Sequence, residues 1–298
     1  MIGILLGSLA GLCFAIGSLA ARIGMRTRDP DDGVFMSNLL NVGLLGVAGL
    51  FVSRPDWSTA GLAALAGAGI VGNFGGRFSS MRAVRYVGTT RSAAFSTGTP
   101  VVAAAFGWLI LGESLRVIDV IGGAVVMAGL LIQIGAHSRA APPKGREVAT
   151  EASTLRGYFY AALGPALLGL AFVIRKWGIR SFDSAVLGAL VGSVAALLVI
   201  GIIDTSKGRL RQRVADNLRH VSWWLVGAGV ATTLALLFQF AAFKFLPAWV
   251  VGTLFGTKGL WALILGYLFL QEEERIDRTV IASITIVTIG VAIIGLHL

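Results

Sequence analysis

The sequence predicts an all-α integral membrane protein whose ten transmembrane helices form two five-helix repeats threaded in opposite directions. Three observations carry this. Of 298 residues, 56% are hydrophobic and 13% charged, about half of the roughly 25% charged residues usual in a soluble domain. Ten apolar runs recur along the chain, each near the ~20 residues that cross a bilayer core as a helix. A pattern at 109–116 returns at 268–275.

The runs fall at 2–21, 34–52, 60–81, 89–111, 117–136, 157–174, 184–203, 222–243, 248–270 and 279–298. Helices are the expected form, because lipid offers backbone N–H and C=O groups no partner outside the segment. No basic stretch precedes the first run, so it is expected to stay as a helix rather than be cleaved. Most connections are short, which makes consecutive helices antiparallel neighbours. Two are longer: 137–156, with Pro142, Pro143 and Lys144, and 204–221. The first is expected to link a repeat at 1–136 to one at 157–298.

Connections after odd-numbered helices carry 17 Lys and Arg against 6 after even-numbered ones. The positive-inside rule then puts the odd connections in the cytoplasm and both termini outside, in a multi-pass protein of the inner (plasma) membrane. The same rule accounts for the net charge of +10. The basic residues are spread over connections without the aromatic platforms of a nucleic-acid binder, so no nucleic acid is expected. The stretch 207–219 could also meet anionic lipid headgroups.

The repeat is visible residue by residue. LILGESLR at 109–116 aligns with LFLQEEER at 268–275, an offset of 159 that pairs Glu113 with Glu272. Upstream, Arg85 to Gly88 matches Lys244 to Pro247 at the same offset, and Gly3, Gly24 and Arg26 match Gly157, Gly178 and Arg180 at 154. A unit of five crossings forces its second copy to enter from the opposite side. A cavity open to one face then has a related form open to the other.

The segment from Arg82 to Leu115, RAVRYVGTTRSAAFSTGTPVVAAAFGWLILGESL, resembles the signature stretch of the EamA-type branch of the drug/metabolite transporter superfamily. The second copy repeats it in weaker form around 244–275, with Gly259 and Gln271 in place of Pro100 and Gly112. The resemblance implies a ten-helix, pseudo-symmetric carrier with a central cavity, acting on a small molecule as a monomer or weak oligomer and needing no cofactor. It further implies an exporter of metabolites, amino acids among them. A deep cation and several aromatic side chains make aromatic or other neutral amino acids the leading class. The alternative is another solute class (drugs, nucleosides or sugar derivatives) or a membrane protein that transports nothing.

Intramembrane polar residues are costly to keep and mark a pathway. All fifteen acids lie outside the central spans, which disfavours proton coupling through a carboxylate and leaves facilitated movement as the simpler mechanism. Two cations lie deep, Arg77 and Lys258. With no embedded acid to pair with, they suit a substrate carboxylate. Helical spacing adds Asn73 and Ser80 to the face of Arg77, and groups Ser92, Ser96 and Thr99 on the next helix. Gln239, with Thr232 and Phe243, and Phe255 beside Lys258 extend the set. Phe14, Phe78, Phe95 and Trp261 are candidates to clamp a planar ring. Pro100 is expected to bend its helix, as a gate or a fixed kink.

Other chemistries lack their residues. Cys13 is the lone cysteine, which excludes a disulfide framework and cysteine-rich metal sites. GAGIVG at 67–72 fits a dinucleotide fingerprint formally but lies in an apolar span rather than after a strand. No H-E-x-x-H, G-x-S-x-G or P-loop motif occurs, so an enzyme is not expected.

Overall fold

In the computed structural model, the described residues are 1–24, 30–52, 58–87, 95–96, 98–114, 116–138, 151–182, 184–219, 222–269 and 278–295. The first half contributes α1 (Ile2–Gly24), α2 (Pro30–Gly49), α3 (Thr59–Ala68), a π-helical segment (Gly69–Gly76), α4 (Arg77–Val87), α5 (Thr99–Leu111) and α6 (Val117–Ser138). The second contributes α7 (Glu151–Phe182), α8 (Ala185–Ser206), α9 (Leu210–Arg219), α10 (Trp223–Phe245), α11 (Ala248–Gly256), α12 (Lys258–Phe269) and α13 (Arg278–Gly295).

These elements make ten spans. The third is α3, the π segment and α4 end to end, and the ninth is α11 and α12 separated by Thr257 alone. Four described helices are long and apolar enough to cross by themselves: Ile2–Ala21, Leu155–Phe182, Ala185–Ser206 and Trp223–Phe245. The third and ninth spans are interrupted, and irregular backbone at membrane depth must be sheltered by the surrounding bundle.

The packing has the symmetry of the repeat. α1 lies on α10, and its counterpart α7 lies on α3 and α4. α5 lies on α7 as α11 and α12 lie on α1, while α2 meets α10 as α8 meets α3. The pairs α2–α8, α6–α13 and α5–α11 are each their own counterpart. Exchanging the halves maps this pattern onto itself, as a two-fold axis through the bundle requires.

Two expectations are corrected. The sixth span does not end at 174: α7 continues to Phe182, so Arg175 and Lys176 are inside the helix and buried, not in a connection. The stretch 204–221 contains a helix of its own, α9, which packs Leu210 and Val214 against Val34, Phe35 and Ile200. The Arg213 guanidinium ties it to Asp204 at the end of α8, 2.6 Å away.

The third span is irregular for a countable reason. Gly24 of α1 faces Leu225, and its equivalent Gly178 faces Leu65, which sets an offset of 160 before the π segment. Beyond it, Arg85 matches Lys244 at 159. The first half therefore holds one extra residue between 65 and 85, and a π turn is how a helix absorbs one. Small residues permit the close crossings: a Cβ on Gly69 would fall on the Gly192 carbonyl of α8.

Candidate functional site

A cavity of about 250 Å³ lies among α1, α2, the third span, α7, α10 and the ninth span. Its walls are related by the repeat. Phe14, Ser18 and Ala21 line it opposite their equivalents Leu168, Phe172 and Arg175, and Arg77, Ser80 and Ser96 opposite Leu236, Gln239 and Phe255. The symmetry fails on one side. Gly33 and Ser37 of α2 line the cavity, whereas the positions 154 residues on, Leu187 and Val191, pack into the main core. The cavity thus opens toward the end of the bundle where α2 begins.

The opposite end is closed by polar bonds and aromatic packing. The Lys176 ammonium donates to the Phe243 carbonyl. Phe172 meets Phe243 edge-on at 5.8 Å, and Phe243 meets Phe240 at 6.2 Å.

Three cations face the cavity: Arg77, Arg175 and Lys258. No acid lines it among the described residues. Each cation replaces a neutral residue at its equivalent position, Leu236, Ala21 and Thr99 respectively, so the charge is an addition to the shared scaffold. Even lenient insertion scales put a central cation at about 2.5–3.5 kcal/mol. How each is compensated decides what it can do.

Arg175 is the most fully bonded. It is 3% exposed, and its guanidinium donates to the Gln239 Oε1 at 2.5 Å and the Asn73 Oδ1 at 2.7 Å. Bonds to a charged group contribute about 1.5–3 kcal/mol each, enough to offset burial. Because Arg can only donate, both amides must turn their oxygens to it. The Gln239 Nε2 is left buried without a partner among the described residues, a free donor on the cavity wall. The Phe172 and Phe240 rings lie 5.7 and 5.6 Å from the guanidinium.

Arg77 and Lys258 are less complete. Arg77 donates to the Ser37 hydroxyl at 3.2 Å and stands 5.7 Å from the Phe14 ring centre. Lys258 has Phe14 at 4.9 Å and Phe255 at 4.6 Å, and no hydrogen-bond acceptor among the described residues. Ring faces give ~0.5–2 kcal/mol, less than the burial term. Its backbone position adds to the deficit. The Thr257 carbonyl accepts from Leu260 and Trp261, and the Thr257 hydroxyl turns back to the Leu254 carbonyl at 2.6 Å. Lys258 therefore opens a new helix, where the dipole opposes a cation by about 0.3–1 kcal/mol. A residue so placed has a use for an anion.

Of the residues expected from sequence, Lys258, Gln239, Asn73, Arg77, Ser80, Ser96 and Phe14 line the cavity. Thr99 stands just behind it, donating to the Ser96 carbonyl at 2.8 Å. Phe78 instead stacks on Phe74, with Arg82 over its ring. Phe95 is 38% exposed and lies near Tyr158, and Trp261 is outside the lining. The rings that meet in the cavity are Phe14, Phe172 and Phe255, with Phe255 5.0 Å from Phe14 and 5.6 Å from Phe172. Pro100 is buried in the first turn of α5, where its missing N–H leaves no gap in the helix. Ser92 lies outside the described residues.

Sequence reasoning missed Arg175, Ser37 and Phe172. The signal for Arg175 was present in the repeat. Gly24 ends α1, so its equivalent Gly178 implies that the sixth span reaches at least that far, a turn beyond Arg175.

A model of the EamA-like transporter family matches residues 1–134 and 155–296. No curated protein matches the chain. Among solved structures, a crystal structure described only as that of a protein is similar, with a TM-score of 0.75 and 17% identity over 99% of this chain and 96% of that one. At that identity the likeness concerns the fold.

Proposed function

We propose, for a chain that belongs to the EamA-like transporter family, that the cavity binds and carries small carboxylate-bearing metabolites by alternating access. The chain is a multi-pass membrane transporter of small solutes. The observation that carries the narrower reading is the convergence of Arg77, Arg175 and Lys258 on one cavity with no acidic side chain among its described lining residues. A carboxylate set between Lys258 and Arg77 supplies what both lack, and the unpartnered Gln239 Nε2 can donate to it. The Phe14, Phe172 and Phe255 rings would hold its apolar body. At about 250 Å³ the space falls below the ~300 Å³ that begins the range of drug-sized ligands, which favours a metabolite over a drug.

Amino acids, expected from the resemblance, bring the carboxylate but also an ammonium group. That group would meet three cations, and the oxygens of Asn73 and Gln239 are already taken by Arg175. Carboxylates without an ammonium, such as 2-oxo acids and dicarboxylates, fit the charge better. Moving Arg175 and Lys176 out of the loops leaves four Lys and Arg on the basic-poor side, which supports a cytoplasmic opening. A cavity loaded from the cytoplasm suits export from the cell.

The test is flux into proteoliposomes of the full chain, with 2-oxo acids, dicarboxylates and amino acids as the panel, and Lys258→Gln in parallel. Saturable uptake of a carboxylate, recovered chemically unchanged and reduced at least about tenfold by the substitution, is expected. Equal flux by parent and variant, or a preference for amino acids over their 2-oxo counterparts, would overturn the reading.

A further inference from the structure

We infer that this transporter is an obligatory exchanger, which changes sides at a useful rate only with an organic anion in its cavity. The inference rests on the anion reading of the cavity and adds the coupling mode, which sequence alone had suggested to be simple facilitated movement.

Charge that has no counter-charge among the described lining residues is the starting point. Arg77, Arg175 and Lys258 put three positive charges into one chamber. Their protein partners are the Ser37 hydroxyl, the Asn73 and Gln239 amide oxygens and aromatic rings. These groups fix geometry and satisfy donors, but none carries a negative charge. The described ion pair of Arg213 with Asp204 stands at the end of α8, apart from the cavity lining.

Alternating access between two related bundles passes through a form closed at both ends. While the cavity is open at the α2 end, water and mobile ions can screen the three cations. Closing that end removes much of the water and leaves like charges in a low-dielectric enclosure, the costly arrangement for buried ions. A bound organic anion offsets part of the charge, and its carboxylate takes the donors that Lys258 and Gln239 leave open. The anion thus binds the closed form more tightly than the open one. A ligand shifts or speeds a transition only through such differential affinity. The loaded carrier crosses readily and the empty one does not, so net one-way movement stalls after the first crossing until a second anion loads for the return.

A single cation facing the cavity would make a weak case. The third, Arg175, is held rigidly by two amides and cannot swing away to solvent, so the closed empty state cannot shed its charge by moving that side chain.

The test uses purified full-length protein in liposomes, with potassium and valinomycin clamping the membrane potential so that charge build-up cannot itself impose exchange. Labelled succinate and labelled phenylpyruvate are offered outside. The interior holds the same unlabelled acid, chloride alone, or a neutral sugar. Thermal stabilisation by each acid is measured on the same preparation. The expected result is uptake at least about tenfold faster into vesicles loaded with the acid than into the other two. In Lys258→Gln, and independently in Arg77→Gln, that ratio is expected to fall toward one, because the empty carrier has less charge to enclose. Size-exclusion profiles and thermal unfolding establish that the variants are folded.

Stabilisation with equal uptake into all three interiors would overturn exchange and leave the anion site standing. Equal support by chloride and by the acid would overturn the requirement for an organic anion. Absence of both stabilisation and uptake for every carboxylate would overturn the anion reading, and the exchange inference with it. An unchanged loading ratio in both folded variants would show that the charges are not its cause, and would also overturn the inference.

Discussion

The Glu113 carboxylate accepts the Ala248 backbone N–H through both of its oxygens, at 2.9 and 3.1 Å, across 135 residues of sequence. One partner follows the end of α5 and the other begins α11, so the acid that closes the LILGE motif of the first half caps a helix of the second. Gly107 leaves room for it: a Cβ there would come within 2.7 Å of the carboxylate. A cap of this kind satisfies a donor that the helix start cannot pair internally.

Glu113→Ala is therefore expected to lower stability by about 1–3 kcal/mol by stranding a buried N–H, while Glu113→Gln keeps an acceptor and should lose less. Burial also pushes the Glu113 carboxyl above its ordinary range, partly opposed by the Ala248 bond and by Lys176 and Arg180. An acid raised in this way disfavours folding when ionised. The penalty is complete above its folded pKa and is relieved as pH falls through that value. The parent should thus gain on Glu113→Gln on mild acidification, widening the difference in melting temperature; a gap that shrinks instead would contradict the burial assignment.

Gln239→Glu tests the charge balance from the other direction. It places a carboxylate 2.5 Å from the Arg175 guanidinium without changing size. Binding of 2-oxo acids should weaken about tenfold or more, and amino acids, whose ammonium gains a partner, should improve relative to them. Competition assays on the two substrate classes would read the ratio, and a ratio that does not move would show that the ammonium never approaches this wall.

Arg175→Lys separates charge from shape. Lysine keeps the positive charge but cannot reach Gln239 and Asn73 with one planar fork. Loss of a charged hydrogen bond, about 1.5–3 kcal/mol, should appear as a lower melting temperature together with reduced flux. A variant as stable and active as the parent would mean that the two amides are not held through Arg175.

Gly69→Ala should be among the most damaging small substitutions, because its methyl would meet the Gly192 backbone rather than a movable side chain. Overpacking of this kind costs about 1–3 kcal/mol or more. Gly43→Ala and Gly46→Ala, where a Cβ meets nothing within 4 Å, should be near neutral. Melting temperatures of the three proteins in detergent would compare them directly.

Deleting one residue within 69–76 would remove the extra residue that the π segment absorbs. A regular helix turns ~100° per residue, so Arg77 would rotate off the cavity wall and lose Ser37. The expected outcome is a folded protein with carboxylate transport reduced at least about tenfold, measured as vesicle flux beside an unfolding curve. Retained flux would show that the register of Arg77 is not set by this segment.

The fold was legible because its signals are coarse and repeated: ten apolar runs, an offset near 159 and glycines at matching positions. Lys258 and Arg77 stood out because a charge inside an apolar run has few explanations. Arg175 did not, because it adjoins Lys176 and Arg180 and the three together look like the basic end of a span. Ser37 was hidden in the weakly apolar start of α2. Phe255 was drawn in by its neighbour Lys258, but Phe172 was indistinguishable from other aromatics in apolar runs, since only the third dimension decides which rings meet. The interruption at Thr257 carries no proline, and its Gly256 and Gly259 neighbours resemble the glycines used everywhere in this chain for packing.

The crossing of Gly69 over Gly192 has a mechanical meaning. Where two main chains touch with no side chain between them, neither helix can roll about its own axis, and sliding is blocked by the carbonyl beneath. Scissoring is the motion left, which makes this point a fulcrum. Probes placed beside it should hold a constant separation while those at the tips of α3 and α8 swing apart and together.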